Sequence, residues 1–192
     1  RSRRSVRRFK SASIHADVLE RILETATYAP SAHNKQPWRF AVLTTPASRS
    51  RLAEAITGRF RRDMAADGCP ETEIAARVER STRRLNEAPV AIVLCRDVTQ
   101  VNPQPDRIRK EAEAMMGRQS VALAGLQLLL AAHAEGLGGT WICWPLFAPE
   151  ETKQALDLPP EWEPQGMVFI GYPAEEPTTP ERLALQKIAR FV

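Results

Sequence analysis

The sequence predicts an α+β sandwich, on three observations. Val121-Ala-Leu-Ala-Gly-Leu-Gln-Leu-Leu-Leu-Ala-Ala132 is apolar nearly all round within a helical pattern. The strand candidates are few and short. Helices and strands interleave with no repeat and no linker that would split the chain, so residues 1–192 read as one domain. A helix apolar on most sides has to be buried on most sides, which makes it the spine of the fold. A doubly wound nucleotide fold, with its many parallel strands, fits less well.

The first helix spans residues 17 to 27, with Val18, Leu19, Ile22, Leu23 and Ala26 on one face and Glu20, Arg21 and Glu24 on the other. Pro30 ends it. Residues 39 to 44 form a strand bounded by Pro37 and Pro46. Ser48 caps a helix through Gly58 whose apolar stripe is Leu52, Ala53 and Ile56. After a turn at Asp67-Gly68, a polar helix covers residues 71 to 85. The apolar run 89–95 suits a buried strand, and residues 96 to 106 form a loop. The spine helix runs from 107 to 135 and stops at Gly136, a residue suited to the left-handed conformation. A strand over 139–143, a short helix over 149–156 opened by Pro149, and a strand over 166–171 complete the core. Pro-rich residues 173 to 180 lead to a tail, 181–192, whose Leu183, Leu185 and Ile188 need a surface to cover.

The formal charge of +4 is local in origin. Six of the 27 basic residues lie in the first ten positions, and without them 21 basic residues face 23 acidic ones. A general nucleic-acid-binding surface is therefore not indicated. Cys69, Cys95 and Cys143 are odd in number and widely spaced, and no histidine stands at ligand spacing from them, so neither a disulfide framework nor a metal site is expected. A reducing, cytoplasmic compartment follows. No apolar run approaches the roughly 20 residues of a membrane span.

Two segments carry the chemistry. Arg3, Arg4, Ser5 and Arg7 can converge on one phosphate, because guanidinium forks and a small hydroxyl give short, charge-assisted bonds to it. Ala-Pro-Ser-Ala-His-Asn-Lys-Gln-Pro-Trp at 29–38 offers hydroxyl, amide and aromatic groups to a flat ring. Together they point to a phosphorylated planar cofactor. Gly-Leu-Gly-Gly-Thr-Trp at 136–141 is not a dinucleotide loop, since its glycines close a helix and precede a strand. No Gly-Lys-Ser/Thr phosphate loop exists either. Trp38, Phe40, Trp141 and Trp144 read first as structural aromatics, and Cys143 as a small buried hydrophobe. No nucleophile stands out. Such a chain suits redox chemistry carried by the cofactor itself.

Four motifs, in order, resemble the FMN-dependent nitroreductase superfamily: Arg-Arg-Ser-Val-Arg-Arg-Phe at 3–9, the segment at 29–38, Glu-Gly-Leu-Gly-Gly-Thr-Trp-Ile at 135–142 and Ile-Gly-Tyr-Pro at 170–173. The segments at 62–68, 77–80, 88–89, 157–164 and 172–177 are similar, more narrowly, to the C-terminal reductase domain of the coenzyme F420 biosynthesis protein FbiB. The resemblance implies a three-layer α/β/α sandwich with a mixed, mainly antiparallel sheet and a long buried central helix. It also implies a homodimer holding FMN at its interface, with NAD(P)H as a candidate electron donor. Arg3, Arg4, Ser5 and Arg7 would bind the FMN phosphate and ribityl chain, and Arg182 would close over the phosphate. Pro30, Ser31, Ala32 and Asn34 would reach the flavin from the other subunit. Trp141 and Ile142 would line the ring, with a backbone amide near Cys143 close to N5. Position 143 is often acidic in the superfamily, so Cys143 departs from the pattern. Asp63 would touch substrate. The narrower likeness implies reduction of dehydro-F420-0 by hydride transfer from N5. A general NAD(P)H-dependent reductase of nitroaromatics, quinones or enones, and an FMN-fragmenting dimethylbenzimidazole synthase, are the alternatives.

Overall fold

β-Strand alternation splits the core in two. In β2 (Val90–Asp97), Val90, Ile92 and Leu94 join one apolar cluster while Ala91, Val93 and Cys95 join another. The last strand, β4 (Trp162–Gly171), repeats the pattern, with Val168 and Ile170 on one face and Met167 and Phe169 on the other. A sheet apolar on both faces needs a layer on each. Helices α1 (Ala16–Ala26) and α4 (Arg107–Ala134) cover one face. Helix α2 (Pro46–Ala66) and the end of α3 (Glu71–Glu87) cover the other, together with α5 (Trp144–Phe147) and α6 (Pro149–Leu156). With β1 (Trp38–Leu43) and β3 (Gly138–Ile142), the strand order is β1-β2-β4-β3. The computed structural model describes residues 2–192; Arg1, part of the basic run, lies outside them.

All strand pairs are antiparallel. The parallel component expected of a mixed sheet is a single bridge between Ser5 and Gly139. This makes the N-terminal arm an extra rung on β3. The sandwich and its long central helix are as expected, and four details are not.

Helix α2 passes Gly58 and continues to Ala66. One glycine costs a helix only about 1 kcal/mol, and the second half is knit by Arg59–Asp63 at 2.7 Å and Arg62–Glu151 at 2.7 Å. Strand β4 begins at Trp162 rather than 166, because a register shift opposite Leu94/Cys95 accommodates Pro164. The tail residues Leu183, Leu185 and Ile188 cover nothing in this chain: each is at least 59% exposed.

Helix α4 is not apolar-buried all round either. Met115, Leu123, Leu126 and Leu130 stay exposed. At 100° per residue they fall within about 80° of one another, so they form one stripe. At its C-terminal end α4 is pinned to α1 by a bidentate Arg21–Glu135 pair at 3.0 and 2.9 Å. Gly136 then turns the chain at φ +78° into β3. No helix among the described residues is long and apolar enough to cross a membrane.

Candidate functional site

The arm is held to β3 by a backbone bond from the Val6 N–H to the Gly139 carbonyl, 3.1 Å. Its approach needs Gly138. A Cβ there would stand 2.6 Å from Val6 Cγ2. Val6 is buried, so the neighbouring odd-numbered residues turn outward. Further on, Lys10 N–H donates to Tyr172 O at 2.9 Å and Phe9 bridges Pro173, fixing the arm beside the chain leaving β4. That returning chain grips the arm in turn. The Arg7 N–H donates to Glu175 Oε1 at 3.1 Å, and Arg4 Nη2 donates to Thr179 Oγ1 at 3.3 Å.

Between arm and returning chain lies a cavity of about 530 Å³. Arg3, Arg4, Ser5 and Arg7 line it from one end of the sequence and Arg182 from the other. Arg8 and Arg84 also contribute to its wall, as do Glu175 and Glu176. Six guanidinium groups against two carboxylates leave the cavity strongly positive. Sequence reading did not find Arg84. It sits on the polar face of α3, and only the docking of that helix beside the arm distinguishes it from any solvated arginine.

The second group of predicted residues lies elsewhere in the protomer. Pro30, Ser31, Ala32 and Asn34 belong to a loop where Ala32 N–H donates to Ser120 Oγ of α4 at 3.4 Å. Ser120 and Leu130, ten residues apart on α4, are about 15 Å apart along the axis. Leu130 shares a cavity wall with Arg3, Arg4 and Arg182. Loop and arginine cradle thus face opposite ends of the same exposed stripe. The loop is also strained: His33, Asn34 and Gln36 have φ of 53°, 53° and 48°, a region costly for side chains bearing a Cβ. Ser31 Oγ accepts from Gln36 N–H at 3.1 Å and holds the bend.

Trp141 is a core residue. Its indole lies in the space beside Gly125 and Gly166 that any side chain there would need. Ile142 packs into the cluster on the opposite face. Trp144 meets Phe60 and Phe169 edge-on, with centroids 6.1 Å away in each case. Cys143 is exposed, against the expectation of a buried hydrophobe, because β3 ends at Ile142 and Cys143 turns out as the residue before α5. Asp63 is held by Arg59 Nε at 2.7 and 2.8 Å on α2, and does not line the cradle.

Partly buried ion pairs flank the loop. Asp97 accepts from Arg39 Nη2 at 2.6 Å and from Thr99 Oγ1 at 2.6 Å. Burial raises its carboxyl pKa, but the Thr99 hydroxyl and amide with Arg39 outweigh that and hold it below the ordinary value. Glu163, between Arg96 at 2.5 Å and Arg118 at 2.9 Å, is depressed by its arginines in the same way despite burial. Glu113 accepts from Asn102 N–H at 3.2 Å, which lowers it and ties the loop after β2 to α4. Among the described residues no group of three or more His, Cys, Asp or Glu could hold a metal ion.

A two-faced antiparallel sheet with a long helix on one side carries, between the N-terminal arm and residues 175–182, an arginine-lined cavity suited to a phosphorylated ligand. The chain belongs to the nitroreductase family, which matches residues 1–172. It is 34% identical over 181 residues to the 5,6-dimethylbenzimidazole synthase of Rhodospirillum rubrum, covering 93% of this chain and 82% of that one. To the NADH dehydrogenase of Thermus thermophilus it is 33% identical over 211 residues, covering 97% and 90%. Its fold is similar to that of a BluB-like flavoprotein from Clostridium difficile 630, with TM-score 0.82 and 22% identity over 99% of this chain and 95% of that one.

Proposed function

We propose that the chain is an FMN-dependent reductase that works as a homodimer. One observation carries this reading: Arg3, Arg4, Ser5, Arg7 and Arg182, from opposite ends of the sequence, line a single cavity. The donor set fits a phosphate monoester. Guanidinium forks match its oxygens, Ser5 adds a hydroxyl, and the volume of about 530 Å³ leaves room for a ribityl chain. Arg3, Arg4, Ser5 and Arg7 hold the phosphate, and Arg182 covers it. Bound FMN supplies hydride transfer at N5 to an electrophile stacked on its ring.

The exposed face of α4 supports the dimer. Met115, Leu123, Leu126 and Leu130 expose an apolar stripe that runs from the loop at 30–34 to the cradle. Two such stripes packed antiparallel would bring the partner subunit's loop to this subunit's cradle. Pro30, Ser31, Ala32 and Asn34 then meet the flavin from across the interface, and the backbone at 141–143 faces it from within. Charge in the cradle favours the anionic reduced cofactor. The exposed tail apolar residues have the same second copy to cover.

The electron donor is NAD(P)H, in keeping with a relative named as an NADH dehydrogenase. For the acceptor, the segments at 62–68, 157–164 and 172–177 favour dehydro-F420-0 or a related deazaflavin precursor, with Asp63 beside it on α2. The likeness to a 5,6-dimethylbenzimidazole synthase favours a second reading, oxygen-dependent cleavage of FMN. A reductase of nitroaromatics, quinones or enones is the general alternative.

The test is direct. Purified protein given FMN should turn yellow, absorbing near about 450 nm, and elute as a dimer. Colourless protein that refuses FMN would end the flavin reading. Reduced protein is then mixed without oxygen with a deazaflavin precursor, a quinone or a nitroaromatic, and flavin reoxidation is followed. Rapid reoxidation by nitroaromatics with no response to the precursor would remove the F420 reading. Release of dimethylbenzimidazole on admitting oxygen would select the second.

A further inference from the structure

Arg49 is a buried cation with no acidic partner. It is 7% exposed, and its Nη1 donates to two carbonyls, Thr44 O and Pro89 O, each at 3.1 Å. Nε has no partner, and among the described residues no carboxylate lies within 4.0 Å of the group. Neutral carbonyls satisfy protons but do not neutralise a charge. A guanidinium stays ionised, so burial without a counter-ion is costly. Burial lowers its pKa for that reason.

Arg49 lines a cavity of about 550 Å³ between the arm and the link from α3 to β2. This cavity is separate from the cradle, although Arg7 and Arg8 contribute to both walls. Its cations are Arg7, Arg8 and Arg49, against the carboxylate of Glu87 in the wall and that of Glu175, which pairs with Arg8 at 3.8 Å from the cradle side. The carbonyl end of α3 also opposes an anion there, and three guanidiniums outweigh these together. Phe9 and Pro89 supply an apolar wall, and Asn86 a neutral amide at the rim. Three guanidinium forks can share the three terminal oxygens of a phosphate monoester, and this geometry, more than net charge, favours it over a carboxylate.

We infer that this cavity is a second anion site that takes the phosphate of a small phosphorylated molecule with an apolar body, held by Arg49 and Arg8 and stacked against Phe9 and Pro89. The site requires nothing of the flavin reading, because Arg49, Phe9 and Pro89 line this cavity and not the cradle.

The probe is phenyl phosphate, titrated calorimetrically at constant ionic strength into the full chain saturated with FMN, so that the cradle is filled, with inorganic phosphate and benzoate as comparisons. Phenyl phosphate should bind saturably, and more tightly than either comparison. Arg49→Gln should weaken it by about tenfold or more. Asn86→Asp, at an exposed position that leaves the Arg49 carbonyl bonds in place, should do the same. Arg182→Ala, which alters only the cradle, should leave the affinity within about twofold. Should Arg49→Gln fail to fold, Asn86→Asp decides alone. Absence of saturable binding, or loss in Arg182→Ala with Asn86→Asp unaffected, overturns the site. Benzoate binding as tightly as phenyl phosphate overturns the choice of phosphate. If the protein refuses FMN, the cradle stays open to the probe and the titration is read in Arg182→Ala, where binding that Asn86→Asp removes marks the second site and binding that it leaves unchanged overturns it.

Discussion

Val6 occupies the space that a side chain on Gly138 would need. The clearance from an added Cβ to Val6 Cγ2 is 2.6 Å, and to Val6 Cβ 2.7 Å. The seam between arm and β3 therefore depends on one missing methyl group. Gly138→Ala should push the arm off β3, with an overpacking cost of about 1–3 kcal/mol. Val6→Ala in the same chain should restore part of that loss. Urea unfolding of both single variants and the double variant measures the coupling. Strict additivity would mean that the two residues do not meet.

The cradle makes a sharper demand on affinity than on stability. Arg7→Ala and Arg182→Ala should each weaken FMN by about 1.5–3 kcal/mol, the range for a hydrogen bond to a charged group. The unfolding midpoint without FMN should barely move for Arg182→Ala, whose side chain is exposed. Flavin fluorescence titration reads the first quantity and thermal melting the second. Unchanged FMN affinity in both variants would falsify the assignment of this cavity to the phosphate.

Asp97 gives the fold an acid limb. Its folded pKa lies below the unfolded value of about 3.9. A depressed carboxylate contributes stability that is present above the unfolded value and is lost as pH falls through the folded one. Stability should hold from neutrality to about pH 5 and then decline, with Glu163 adding to the slope. Asp97→Asn, which leaves Arg39 without its acidic partner, should cost about 1–3 kcal/mol at neutral pH and flatten the acid decline. An acid limb as steep in the variant as in the parent would remove Asp97 from the account.

Much of this was legible in the sequence, and what was not has physical causes. The arginine run was legible as a cluster of cations from residue type alone, Arg182 entered only through the resemblance, and the structure brings them to the wall of one cavity. The two-faced sheet was readable from the apolar runs of β2 and β4. Local rules failed where tertiary contacts override them. Gly58 did not end α2, because ion pairs from Arg59 and Arg62 sustain the next two turns. Pro164 did not exclude a strand, because a register shift absorbs it. Exposure of Cys143 and burial of Arg49 depend on where β3 stops and how α2 docks, and neither leaves a mark on sequence spacing. Nor does Arg84, whose place on the cradle wall is set by a neighbour distant in the chain.

The α4 stripe tests the dimer. Leu126 is 48% exposed and lies between Leu123 and Leu130 on the same face. Leu126→Glu puts a charge where two copies would meet, and burying an unpaired carboxylate costs several kcal/mol. The variant should elute as a monomer by light scattering, and should lose FMN as well if the partner's loop completes the site. In the isolated protomer Leu126 faces solvent, so its secondary structure should be unchanged. A dimer that survives with full affinity would move the interface off α4.

The strained loop offers a complementary test, because strain held at a site is relieved when the site is abandoned. Gln36 has φ 48°, its N–H is bonded to Ser31 Oγ, and its side-chain amide donates to Asn34 Oδ1 at 3.2 Å. Gln36→Gly keeps the backbone bond and removes the side-chain bond. It also removes the left-handed penalty of about 1–2 kcal/mol for a residue with a Cβ. Added chain entropy in the unfolded state takes back about 0.5–1 kcal/mol. The net effect on stability should therefore be small, within about 1 kcal/mol in either direction. Affinity should behave differently. Under the proposed dimer a looser loop would have to be ordered to close on the flavin of the other subunit, so FMN binding should weaken by severalfold while the melting temperature stays nearly constant. Hydrogen exchange at residues 31–36 should rise in the variant without FMN and fall when FMN is added. If the loop exchanges at the same rate with and without FMN in both proteins, it takes no part in binding, and its strain must serve the packing of Ala32 against Ser120 alone.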